Sequence, residues 1–276
     1  MLNKFITKFL FIFLLSNLAP DLAFAENNNY LKFEASQFSK NNEIVVEVWN
    51  SKDGLERLNR SEKNDFYQLA NFFQIQINPF YCGIASGTMV LNAINVPTII
   101  KLENTDQVAN EFLNGESTNY MRYSQDNFLN EKTDKIKDRK IIEFKNAADK
   151  EEFHNPGVSL DDLEKILKEV YNLKVESFHA TNDTLKSIEK FRSLVKKTVN
   201  DSDHFMIVNL NNKSIGLKTG GHHSPLVAYD EKTDSVLIME VGYKRPWYWV
   251  PLEHLYKAMN TKDGNKYRGY LVVSKR

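Results

Sequence analysis

The chain changes its hydrophobic rhythm near its middle. Beginning at Cys82, the residues Ile84, Ala85, Met89, Val90 and Ala93 recur at helical spacing to about Ile94, and Pro97 stops the run. Ser159-Leu-Asp-Asp162 has the form of a capping box, where a hydroxyl and an acid three residues on satisfy the free N–H groups of a first helical turn. The helix it opens has Leu160, Leu163, Ile166, Leu167 and Val170 on one face, and a second helix is expected from about Leu185 to Val199. Past that point the apolar runs shorten to strand length, over 204–210, 225–229, 235–241 and 268–273, with turn residues such as Lys232-Thr-Asp234 between the middle two. Near the start, 43–49 reads as a strand and 51–60 as a turn followed by a short helix. Residues 101–155 alternate short helical and loop signals, with a charged stretch at 131–140. A helix-rich first half and a strand-rich second half, with no internal repeat, predict an α+β domain.

Ahead of this pattern lies a different kind of segment. Lys4 and Lys8 precede an apolar run over 9–15, and Ala23-Phe-Ala25 supplies small residues at a cleavage position. This order describes a secretory signal peptide, so the expected organisation is a signal over 1–25, an N-terminal segment over 26–50 and a catalytic domain over 51–276. The run is too short for a membrane span of about 20 residues. The chain is therefore expected to be exported, periplasmic or secreted, and to meet a membrane only through an uncleaved signal.

Charge adds an exclusion. The 36 basic and 36 acidic residues cancel, so no global field favours nucleic acid or an anionic membrane. With 42% apolar residues the chain can build a core, and with one cysteine it has no intramolecular disulfide. A free thiol in an exported protein needs a reason, and catalysis supplies one.

Cys82 follows the polar loop Gln76-Ile-Asn-Pro-Phe-Tyr81 and opens the helix-like stretch. At a helix N-terminus the unsatisfied N–H groups and the aligned peptide dipoles favour S⁻ over SH. The competing role is that of a small buried hydrophobe. A nucleophilic thiol also needs a base, a group to orient that base, and donors for the oxyanion. Gly220-Gly-His222-His223-Ser-Pro225 places histidines at the start of a strand, facing a cleft between the halves. Glu240 sits in an apolar run one hairpin later, where a buried carboxylate is costly unless paired, and a histidine on the adjacent strand would pair it. Gln76, six positions before the cysteine, can bring a side-chain amide beside the thiol as an oxyanion donor together with the Cys82 N–H. His222 and His223 do not count as a metal site, since neighbours on a strand point to opposite faces.

With these residues in order, the sequence resembles the phytochelatin synthase family, a branch of the papain-like cysteine peptidase clan, from about Ser51 to the C-terminus. The likeness is carried by Asn78-Pro-Phe-Tyr-Cys-Gly-Ile-Ala-Ser86 with Val90-Leu-Asn-Ala93, by Gly221-His-His-Ser-Pro225 and by Val236-Leu-Ile-Met-Glu-Val241. Trp249-Val-Pro-Leu252, Ala258-Met259 and Tyr267-Arg-Gly-Tyr270 complete it. The resemblance implies a papain-like fold, with Cys82 as nucleophile, His222 rather than His223 as general base and acid, and Gln76 as oxyanion donor. The family's orienting aspartate falls on Glu240. Two departures accompany this match: glutamate in place of aspartate, and a segment after it that is one residue short and lacks an arginine directly after the small residue. Lys244 or Arg245 is the candidate to read the substrate's carboxylates instead.

The implied reaction is cleavage of the Cys–Gly bond of glutathione through a γ-glutamylcysteinyl thioester, giving phytochelatins or, with water, γ-Glu-Cys. By size the chain goes with short prokaryotic members, which lack a cysteine-rich C-terminal extension and act mainly as glutathione hydrolases. No tightly bound cofactor is expected, and cadmium or zinc enters as a glutathione thiolate complex. Alternative readings are a papain-clan peptidase acting on a peptide or leader sequence, and a non-enzymatic exported binding module.

Overall fold

The computed structural model describes residues 45–94, 123–143, 156–182 and 184–276. The signal segment, most of the N-terminal segment and Pro97 lie outside them. The described chain is built on a seven-stranded sheet of order β1-β6-β5-β4-β3-β9-β2. Its strands are β1 (Glu47–Val48), β2 (Lys174–His179), β3 (His204–Asn211), β4 (Gly221–Asp230), β5 (Ser235–Ile238), β6 (Tyr248–Pro251) and β9 (Gly269–Ser274), while β7 (Lys262–Asp263) and β8 (Lys266–Tyr267) form a separate hairpin. Every neighbouring pair is antiparallel.

The helices are α1 (Lys52–Arg60), α2 (Asn64–Ala70), α3 (Cys82–Ala93), α4 (Gln125–Phe128), α5 (Glu131–Asp134), α6 (Arg139–Glu143), α7 (Leu160–Lys165), α8 (Leu185–Val199) and α9 (Leu252–Met259). Helices cover both faces of the sheet. On one face Ile84, Met89 and Leu91 of α3 and Leu163 of α7 pack with Ile207, Val227, Leu237 and Leu271. On the other, Phe191 and Val195 of α8 and Leu255 and Met259 of α9 pack with Met206, Val208, Val236 and Val250. Adjacent residues of one strand thus enter different cores, which is why these strands read as continuous apolar runs rather than as alternation.

Local signals account for several helix starts. Ser51 accepts from Gly54 N to open α1, Ser159 and Asp162 form the expected capping box of α7, and Thr184 accepts from Ser187 N to open α8. The face expected on the 159–170 helix is buried, although its second half, Ile166–Val170, is wound as a π-helix. The α+β class stands, with corrections of detail. The strand expected over 43–49 is confined, within the described residues, to Glu47–Val48, and α2, β2 and α9 are additional elements. The strand expected over 235–241 stops at Ile238, because its partner Pro225 has no N–H with which to continue the ladder and can only accept from Met239 N at 2.9 Å. Glu240 therefore leaves the sheet at the end where α3 begins.

One buried group opposes this packing. Asp65, in the first turn of α2, is fully buried with neither carboxylate oxygen hydrogen-bonded, and burial followed by the like charge of Asp201 pushes its pKa from an ordinary 3.8 up to about 9. A folded-state value above the unfolded one means that the native protein holds the extra proton, so the contribution of Asp65 to stability is fully present below about pH 4 and is lost as pH rises toward about 9. Asp65→Asn is expected to raise stability by about 1–3 kcal/mol at pH 9 and to change it little at pH 4, read by urea unfolding at both. An equal shift at both pH values would contradict this assignment.

Candidate active site

The sequence around Cys82 sets its position before any tertiary contact does. Asn78 Oδ1 accepts from Phe80 N at 2.9 Å and Asn78 O from Tyr81 N at 3.0 Å, so the loop turns tightly into α3. Residues 83–92 of α3 are all buried, and Tyr81 Oη donates to Glu143 Oε1 at 2.5 Å. The helix start is thereby fixed, with a half-buried thiol at its first residue.

The sheet supplies the other half. His222, at the second position of β4, is buried, and its Nε2 lies 2.6 Å from Glu240 Oε1 and 3.1 Å from Ser224 Oγ. Gly242 N also donates to Glu240 Oε1, at 2.5 Å. Burial alone would disfavour the charged form of each partner. Glu240 and Cys82 nevertheless raise the His222 pKa to about 9, and His222, Arg245 and the Gly242 N–H hold Glu240 below its usual range. At the thiol, burial pushes upward, but hydrogen bonding and charge from His222, then from His223, bring Cys82 well below its ordinary value. The result is a thiolate beside an imidazolium, backed by a carboxylate.

His223, next to His222 on the strand, sets its Nδ1 3.9 Å from Cys82 Sγ. The thiol is placed over the first residues of β4, at the end of the sheet, and is therefore within the influence of both imidazoles. Gln76 is buried, but its Nε2 donates to Asn78 O at 2.9 Å, and its side chain does not line the cavity at Cys82. Arg245, considered for the substrate's carboxylates, is instead turned toward Glu240 Oε2 at 3.6 Å.

A cavity of about 250 Å³ opens at Cys82, between the 156–159 loop on one side and β3, β4 and the β7–β8 hairpin on the other. Its sheet wall sets His223 beside two polar groups that sequence reasoning missed, Asn209 and Arg268. Asn209 is 1% exposed with neither amide atom hydrogen-bonded, and directly across the strand pair His223 is 3% exposed with Nε2 unpartnered. Arg268 lies alongside, donating to Lys262 O and, at 3.2 and 3.3 Å, to Thr261 Oγ1 and Asp263 Oδ1, with its Nε unpartnered. Gly221 leaves room for this arginine, since a Cβ there would stand 2.7 Å from Arg268 Nη2, at the movable end of its side chain. Buried polar groups without partners are expensive, and groups aimed into a cavity find theirs in a ligand. The adjacent Asp263 and Arg268 suit a ligand with both an ammonium and a carboxylate. Among the described residues no group of three or more His, Cys, Asp or Glu is arranged to hold a metal ion.

Iodoacetamide tests the thiolate. Alkylation of Cys82 is expected at a nearly constant rate between about pH 6 and pH 8, with His222→Asn restoring a rise toward the ordinary thiol range near 8.5. An ordinary thiol profile in the unmodified protein would contradict the ion pair.

The family model described as phytochelatin synthase matches residues 40–270. The chain is 30% identical over 226 residues to glutathione gamma-glutamylcysteinyltransferase 1 of Lotus japonicus, covering 80% of this chain and 38% of that protein. It is 29% identical to glutathione gamma-glutamylcysteinyltransferase 3 of Lotus japonicus and 27% identical to glutathione gamma-glutamylcysteinyltransferase 1 of Arabidopsis thaliana, again over 80% of this chain and over 40% and 39% of those proteins. The chain thus spans about two-fifths of the length of these relatives.

Proposed function

The chain belongs to the phytochelatin synthase family, and from that premise we propose that it is an acyltransferase acting on glutathione through Cys82. The observation that carries this reading is the thiolate–imidazole–carboxylate arrangement of Cys82, His222 and Glu240 at the mouth of a cavity whose far wall holds Asn209, Asp263 and Arg268. Glutathione suits that cavity. Its γ-glutamyl end carries the α-ammonium and α-carboxylate that Asp263 and Arg268 would bind, and this sets the cysteinyl carbonyl against Cys82.

In the first half-reaction the Cys82 thiolate attacks the carbonyl carbon of the Cys–Gly bond. The Cys82 N–H and the Gln76 amide are the proposed donors to the oxyanion, for which Gln76 has to turn from Asn78. The C–N bond breaks as His222 gives its proton to the departing glycine nitrogen, leaving a γ-glutamylcysteinyl thioester on Cys82. In the second half-reaction an incoming nucleophile loses its proton to His222 and attacks the thioester, releasing the thiolate. A second glutathione amine yields (γ-Glu-Cys)₂-Gly, and water yields γ-Glu-Cys. Glu240 keeps the imidazole oriented and stabilises its charged form throughout. Cadmium or zinc enters as the thiolate complex of the substrate. Export to the periplasm or beyond, with removal of residues 1–25, completes the proposal.

Incubation of the protein from Glu26 onward with reduced glutathione, with and without cadmium, is expected to release glycine together with (γ-Glu-Cys)₂-Gly, γ-Glu-Cys or both, and Cys82→Ala to release none. Arg268→Met is expected to lower kcat/KM by about 10- to 100-fold, chiefly through KM, from loss of a charged hydrogen bond. Absence of glycine release, or release by the alanine variant, would overturn the glutathione reading in favour of a peptidase or a binding module.

A further inference from the structure

The two departures from the family's pattern meet at one place. Glu240 is fully buried where the resemblance sets an aspartate, and its extra methylene has to be accommodated without moving the carboxylate off His222. The loop that follows does this. Gly242 N donates to Oε1, and a Cβ on Gly242 would stand 2.6 Å from that same oxygen and 3.4 Å from Arg245 Cζ. Lys244 adopts the left-handed conformation, with φ of 54°, and the chain returns so that Arg245, itself buried to 10% exposure, sets Nη1 3.6 Å from Oε2. Trp247 anchors the far end of the loop against Trp49, Phe66 and Phe73.

We propose that Gly242 and Arg245 are positioning residues that keep the longer Glu240 side chain ionised and aimed at His222, so that the two departures act with Gly242 as one unit. Glycine leaves the space that the bent glutamate occupies, and the arginine sets its charge 3.6 Å from the oxygen that His222 does not use. Glutamate has one more rotatable bond than aspartate, and these two contacts restrain it. An opposite charge within about 4–6 Å favours the carboxylate over the acid. Arg245 supplies that charge from the loop, His222 does so from β4, and Tyr248 on β6 is a further titratable group facing Glu240. The inference rests on the proposed roles of Cys82, His222 and Glu240.

The test is a set of pH profiles of kcat and KM for glycine release, with thermal melts to confirm folding and Cys82 alkylation as a readout independent of turnover. Arg245→Met is expected to move the acid limb of kcat upward by about one pH unit and to lower kcat by about ten-fold or more with KM little changed. Arg245→Lys is expected to keep the parent profile. Gly242→Ala is expected to cost at least about ten-fold in kcat in the parent, and little in the Glu240→Asp background, where the shorter acid vacates the space. An unmoved acid limb in Arg245→Met, or an equal cost of Gly242→Ala in both backgrounds, would overturn the inference. Failure of the underlying reading looks different: Glu240→Gln would retain the parent profile, or the unmodified protein would release no glycine. In the latter case the acid limb of Cys82 alkylation still decides, rising in Arg245→Met if the inference holds and staying in place if it does not.

Discussion

Glu240 has no contact with solvent, and a carboxylate in that position costs several kcal/mol unless its charge is met. His222 Nε2, the Gly242 N–H and Arg245 meet it. Much of the active-site geometry follows from that requirement. The pairing holds the chain that leaves the sheet after β5 against the start of β4, and it sets Nε2 of the imidazole toward the acid. The other nitrogen is left for the thiol. The same segment receives the loop that carries Cys82, because Gln76 N donates to Val241 O at 2.8 Å. One buried carboxylate and its neighbours therefore join the helical half to the sheet half at the place where the reaction is proposed to occur.

The opposing side is held by packing. With ten consecutive residues of α3 buried from Gly83 to Asn92, its N-terminus cannot drift without disturbing the core shared with Ile207, Val227 and Leu271. Between a fixed helix end and a fixed strand start, the thiol is held near two imidazoles and still lines a cavity. Asn209, His223 and Arg268 leave polar atoms without partners on the wall of that cavity. The protein has thus folded with hydrogen-bonding capacity unspent, an arrangement expected of a binding site and unexpected of a core.

Much of this was legible in the sequence, and the omissions have physical causes. Cys82 at a helix start followed from a polar loop meeting a helical apolar pattern, and α8 was read at its full extent because fifteen residues hold a consistent face. By contrast, α2 is seven residues long, too short for a period to emerge, and β2 is an edge strand with few buried positions. Glu240 and His222 were found because a lone acid in an apolar run demands a partner. Arg268 was not, since its place depends on the β7–β8 hairpin and on the missing Cβ of Gly221, neither of which has a local signature. Strand alternation assigns His222 and His223 to opposite faces, and a thiol over the end of the strand is reached from both. Lys244 or Arg245 was considered for the substrate's carboxylates in place of the family's arginine, and only the turn at Lys244 reveals that Arg245 faces Glu240.

The central claim is that Cys82 carries the acyl group. Its most direct test is intact-mass and peptide-mapping analysis of the protein acid-quenched during turnover of glutathione. The account predicts a γ-glutamylcysteinyl adduct on the peptide containing Cys82, labile to hydroxylamine as a thioester is, and absent from Cys82→Ala. Glycine release with no adduct on Cys82, or with the adduct on another residue, would contradict it.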